Sequence, residues 1–90
     1  MPVREAIGVK VTFALSKEKP YDGGEVPAPT TVGVEREKAM TYFGAHPEPN
    51  TVFYLVAHGQ RQPDERTVGQ VAGDADEVVF GLRKEIVQGG

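Results

Sequence analysis

The sequence contains no cysteine. That absence excludes disulfides, thiol catalysis and cysteine–zinc sites together, and it fits a reducing, cytoplasmic setting. It also means that any thioester involving this chain must be made by its own carboxylate on another protein's cysteine. Long apolar runs are missing too: the longest, Val52 to Ala57, is far too short to span a membrane. Met1-Pro2-Val3-Arg4-Glu5 lacks the charged-then-apolar pattern of a secretion signal. Basic charge is in short supply, because 10 lysines and arginines are outnumbered by 13 acids, for a net charge of −3. No basic stripe appears, which argues against nucleic acid as a partner. The remaining composition, 39% apolar and 26% charged, suits one small globular domain rather than a disordered chain.

Within that domain the alternation of apolar residues is informative. Ile7, Val9, Val11, Phe13 and Leu15 recur with a period of two, which predicts a half-buried strand. Ser16 to Pro20 then read as a turn. A weaker strand is expected from Tyr21 to Val26, interrupted by Asp22-Gly23-Gly24 and ended by Pro27 and Pro29. Thr30 or Thr31 is placed to cap a helix on which Val32, Arg36, Ala39, Met40 and Phe43 share a face, with Gly44 as its left-handed terminator. Val52 to Ala57, apolar on both parities, predicts an interior strand. His58-Gly59-Gln60-Arg61 reads as a turn and Gln62 to Arg66 as a polar loop. Thr67 to Val71 is expected to be a short helical or irregular segment that tucks Val68 and Val71 beneath the sheet. Glu77 to Leu82 is the last strand.

The order strand, strand, helix, strand, loop, strand, tail implies a two-layer α+β domain with four to five strands on one helix. A right-handed crossover through the helix places the first and last strands as parallel neighbours in the middle of a mixed sheet. That pattern is the β-grasp. It divides the chain into a domain over 1–83 and a flexible C-terminal tail over 84–90.

The chain stops on Gly89-Gly90. Glycine lets foreign backbone approach closely, as threading a carboxylate into a narrow activating channel requires. A frayed chain end is the alternative reading. The residues before it resemble ubiquitin. Ala57 to Val71, AHGQRQPDERTVGQV, is similar to the ubiquitin segment in which a strand runs through a glycine turn and a polar loop to an Arg-Thr-hydrophobe step. Glu77 to Arg83 resembles the last ubiquitin strand, and Glu25-Val26-Pro27 with Thr31-Val32 looks like the strand-to-helix junction. The resemblance covers roughly residues 9 to 90, by the order of its pieces more than by identity. It departs from ubiquitin in the tail, where Arg83-Lys84-Glu85-Ile86-Val87-Gln88 is longer and lacks an arginine just before the glycines.

The resemblance implies a prokaryotic, bacterial or archaeal, protein modifier and not an enzyme. Its partners would be an E1-like activating enzyme, an E2-like conjugating enzyme, a JAB-type or other deconjugating protease, and target proteins. Gly89 and Gly90 would carry the activation and conjugation, with no cofactor on this chain, because ATP and magnesium belong to the partner. The protein is expected to be a cytoplasmic monomer with no membrane or nucleic-acid partner. The same fold and terminus resemble sulfur carriers of the molybdopterin and thiamin type, whose last strand looks like Asp76-Glu77-Val78-Val79-Phe80, and whose terminal carboxylate becomes a thiocarboxylate. A binding module with incidental glycines is the third reading.

Parity adds a candidate recognition patch. If Phe53, Leu55, Val78 and Phe80 face the helix, then Tyr54, Val56, Val79 and Gly81 face outward, with His58 continuing the row. An outward apolar cluster on a small domain points to binding, and the main ubiquitin recognition patch lies in the corresponding place. Other constellations are weaker. His46 and His58 make a poor metal pair without cysteine. Asp64, Glu65, Asp74 and Asp76 lie in turn-rich stretches, and Gly23, Gly24 and Gly59 are not followed by the Gly-Lys-Ser/Thr of a phosphate loop. Lys10, Lys17, Lys19, Lys38 and Lys84 are candidate acceptors of a modifier, with nothing to rank them.

Overall fold

The structure is a computed structural model that describes residues 6–87. Its elements are β1 (Ala6–Phe13), β2 (Tyr21–Pro27), α1 (Val32–Phe43), β3 (Thr51–Ala57), β4 (Gln60–Gln62), α2 (Val68–Ala72) and β5 (Glu77–Ile86). They form one five-stranded mixed sheet in the order β2-β1-β5-β3-β4. β1 and β5 are parallel neighbours at its centre, as the crossover argument requires. α1 and α2 cover one face. This is the expected β-grasp.

The alternation in β1 works as read over Ile7, Val9 and Val11, all fully buried. It fails at Leu15, which is 71% exposed. The chain has already reversed there, closed by the Ser16 N–H donating to Phe13 O at 3.0 Å. Sequence period cannot register a turn that starts inside the periodic run. β2 is continuous rather than interrupted, because Val9 pairs with Gly24 and Lys10 with Asp22, leaving Gly23 as the extra residue of a bulge. Gly24 takes a left-handed φ of 66°, and its N–H is accepted by Asp22 Oδ1 at 2.9 Å.

α1 starts after Thr31, whose side chain makes no capping bond, and ends at Gly44 with φ 71° as expected. The Ala45 N–H returns to Met40 O at 2.8 Å, closing the terminal turn. The helix buries Val32, Ala39, Met40 and, against expectation, Glu35.

The turn after β3 is a two-residue hairpin. His58 (φ 55°) and Gly59 (φ 75°) both lie in the left-handed region, which the tight turn between right-twisted strands demands. Gln60–Gln62, read as turn and loop, is therefore a short edge strand paired with Leu55–Ala57. α2 carries a reciprocal cap between Thr67 and Gln70, and Val68 and Val71 are buried as anticipated. It docks through Gly69, whose N–H donates to Ala28 O at 2.9 Å. A Cβ on Gly69 would sit 2.9 Å from Ala28 Cβ and 3.1 Å from Ala28 O. Gly69→Ala is accordingly expected to cost about 1–3 kcal/mol by overpacking. Chemical denaturation checks it, and an unchanged midpoint would show that α2 shifts freely.

β5 runs through Ile86, not Leu82, so Lys84, Glu85 and Ile86, which the sequence reading placed in the tail, are sheet residues. No helix among the described residues is long and apolar enough to cross a membrane.

Candidate functional site

The pleat sends alternate residues of each strand to the face that no helix covers. Register then decides which of them meet. Val56 of β3 lies opposite Gly81 of β5, which lies beside Thr12 of β1. Tyr54 is opposite Arg83, and Val79 is beside Lys10. On the far side Arg61 of β4 is opposite Val56. Its guanidinium lies 4.5 Å from the centroid of the Tyr54 ring, a cation–π contact that holds both groups flat on the sheet.

Tyr54, Val56, Val79 and Gly81 thus form one contiguous apolar strip. Val79 is its most open member at 52% exposed, and the other three are half-buried. Gly81 makes a dip, since a Cβ there would find only Thr12 Oγ1 at 3.8 Å and Arg83 Nε at 3.9 Å. His58 stands apart from the strip. It sits in the hairpin turn with Nε2 3.1 Å from Val71 O, which ties the ring to α2.

Part of the rim of the strip escaped sequence reasoning. Lys10, Arg61 and Arg83 all stand on the outer face by the same register. They share that face with acids, because Glu77 and Glu85 have the parity of Val79 and Gly81 and Asp22 is opposite Lys10, so the rim carries both charges. Arg83 was legible, sharing the parity of Val79 and Gly81. Arg61 was not, because its place depends on the unrecognised β4. The surface suits a partner with apolar side chains flanked by charged groups of both signs.

The other candidates separate. Asp64 accepts Arg36 Nε at 3.2 Å and Nη2 at 3.0 Å, so it clamps the β4–α2 loop to α1 rather than pairing with Glu65 for acid–base chemistry. Among the described residues no three histidine, aspartate or glutamate side chains are grouped to hold a metal ion. Glu35 is the titratable group that sequence reading missed. Its side chain is fully buried, and burial raises its pKa despite the opposing charge of Lys38 at 3.7 Å. Gly89 and Gly90 lie outside the described residues.

No family model and no curated protein matches the chain. Solved structures do. The ubiquitin of Caldiarchaeum subterraneum is 27% identical over 93% of this chain and 99% of its own, with a TM-score of 0.68. A ubiquitin-like protein from the same archaeon is 27% identical over 91% of this chain and 100% of its own, with a TM-score of 0.56. A SUMO mimic from a study of DNA repair, at 11% identity, 88% and 91% coverage and a TM-score of 0.63, shares the fold alone. The chain therefore has a ubiquitin-like β-grasp fold, and structures similar to it include archaeal ubiquitin-like proteins.

Proposed function

We propose that this chain is a protein modifier whose Gly90 carboxylate is activated by another enzyme and transferred to target proteins. The observation that carries the reading is one strand with two tasks. β5 contributes Val79, Gly81 and Arg83 to the outer strip and leads directly into the residues that end on Gly89-Gly90. The similarity to archaeal ubiquitin-like proteins extends over nearly the whole chain, which supports the same reading.

A carboxylate is a poor acyl donor until one oxygen becomes part of a leaving group. Adenylation by an E1-like partner using ATP and magnesium supplies that, and a thiolate of the partner then attacks the activated carbonyl. This chain contributes the electrophile and the recognition surface, not the catalysis. The outer strip and the charged residues beside it dock the E1-like and E2-like partners. A JAB-type or other protease reverses the bond. The setting is the cytoplasm of a bacterium or archaeon.

Protein ending at Gly90, incubated with an E1-like enzyme, ATP and extract, is expected to give ladders of heavier conjugates that disappear when Gly90 is deleted. A gain of one sulfur for one oxygen, with no conjugates, would instead make the chain a sulfur carrier. Neither product would contradict both.

A further inference from the structure

β5 outlasts its neighbours. Leu82 is the last residue it pairs with β1, opposite Phe13. β4 on the other side ends at Gln62, beside Leu55. Beyond those points Arg83–Ile86 pair only with Thr51–Tyr54 of β3, so the sheet narrows to a two-stranded arm. The Val87 N–H donates to Asn50 O at 2.7 Å, one step past the last ladder pair. Bonded and non-bonded pairs alternate in an antiparallel ladder. Val52 with Glu85 and Tyr54 with Arg83 are therefore the pairs that exchange backbone hydrogen bonds. Thr51 with Ile86 and Phe53 with Lys84 are the close, non-bonded ones. Lys84 Nζ adds an ion pair to Glu48 Oε1 at 3.5 Å. Residues 83–87 are exposed, with Ile86 at 70% and Val87 at 44%.

Resting on the reading of Gly90 above, we propose that this arm stays zipped when the tail is engaged, so that the activating protein receives two strands instead of one. Unzipping would forfeit the ladder bonds of both bonded pairs and the Val87–Asn50 bond, with nothing in the arm to replace them. Reach does not require it, because the four residues from Val87 to Gly90 extend about 14 Å when straight. β1 and β4 stop short, so the β5 edge of the arm offers the outward backbone groups of Lys84 and Ile86. A partner cleft that adds its own strand there would use those groups. Val87 gives it an apolar contact at the tip. An enzyme whose channel admits only a single strand is excluded by width, since paired strands lie about 4.8 Å apart before their side chains are counted.

The chain lends itself to a direct test. It has no cysteine of its own, and a close non-bonded pair, with Cα atoms about 4.5 Å apart, is within disulfide range. Thr51→Cys with Ile86→Cys locks the arm shut. The assay is ATP–pyrophosphate exchange by an E1-like enzyme chosen for its exchange with the unmodified chain. Oxidised and reduced forms are expected to agree within about twofold, and Glu85→Pro, which removes a ladder N–H, is expected to slow exchange about tenfold. An oxidised form that is inactive and recovers on reduction would overturn the zipped arm while leaving the role of Gly90 standing. So would a fully active Glu85→Pro chain. Failure of the unmodified chain with every such enzyme would sink the Gly90 reading, and this inference with it.

Discussion

Replacing Glu35 with methionine is expected to stabilise the domain by about 1–4 kcal/mol at neutral pH, the range found when buried ionic groups give way to apolar ones. The Glu35 side chain is fully buried on α1, and neither carboxylate oxygen has a hydrogen-bond partner. Lys38, 3.7 Å away in the same helix and 55% exposed, is too solvated to offset the loss of water. On the β2 side Glu35 meets Tyr21 and the Gly23 bulge, where a Cβ would lie 3.1 Å from Glu35 Oε1. Tyr21 is itself raised by burial first, then by the charges of Glu35 and Asp22.

The sign of the pH dependence follows. Burial holds the Glu35 pKa above its ordinary value, with Lys38 lowering it by less. A carboxyl that binds its proton more tightly when folded contributes stability below its unfolded pKa and loses it as pH rises through the folded one. The advantage of Glu35→Met is therefore smallest near pH 4 and grows toward pH 8. Urea denaturation of both proteins across that interval checks it. A difference independent of pH, or a methionine variant that is weaker at pH 8, would mean that Glu35 is paired or hydrated.

Adjacent residues on β5 should give opposite results. Phe80 is fully buried at the centre of the sheet, so Phe80→Ala is expected to cost about 3–5 kcal/mol. That is much of the stability of a domain this size, and thermal denaturation should show it as a large fall in midpoint. Val79 is 52% exposed on the other face, and Val79→Ala should move stability by no more than about 0.5 kcal/mol. Its effect should instead appear in affinity for an activating or conjugating partner, measured by calorimetry. Comparable destabilisation at both positions would contradict the two-faced sheet.

How far the fold was legible depends on the range of the interactions that made it. Ile7, Val9 and Val11, the Gly44 terminator, and Val68 with Val71 were readable because each is dictated by neighbours in sequence. β4 was not, since Gln60–Gln62 carry no strand character and owe their pairing to the tight turn at His58-Gly59. The extension of β5 was hidden in the same way: Lys84-Glu85 look like solvated tail until Thr51–Tyr54 are seen beside them. Glu35 followed helical amphipathicity in reverse, a charged residue on the buried face, which no periodicity argument anticipates. In the site, parity alone brought Tyr54, Val56, Val79 and Gly81 together. Parity misplaces His58, because a turn residue no longer alternates.

Transfer of Gly90 to a target, as proposed, would leave a chemical trace that can be read directly. Trypsin cuts after Lys84, so a target lysine joined to Gly90 would retain Glu85-Ile86-Val87-Gln88-Gly89-Gly90 on its side chain. Mass spectrometry of digested conjugates is expected to find lysines carrying that branch, dependent on ATP and lost when Gly90 is removed. Abundant intact protein, a competent activating enzyme and ATP, with no branched lysine and no activated terminus, would show that the acyl end is not what this fold presents.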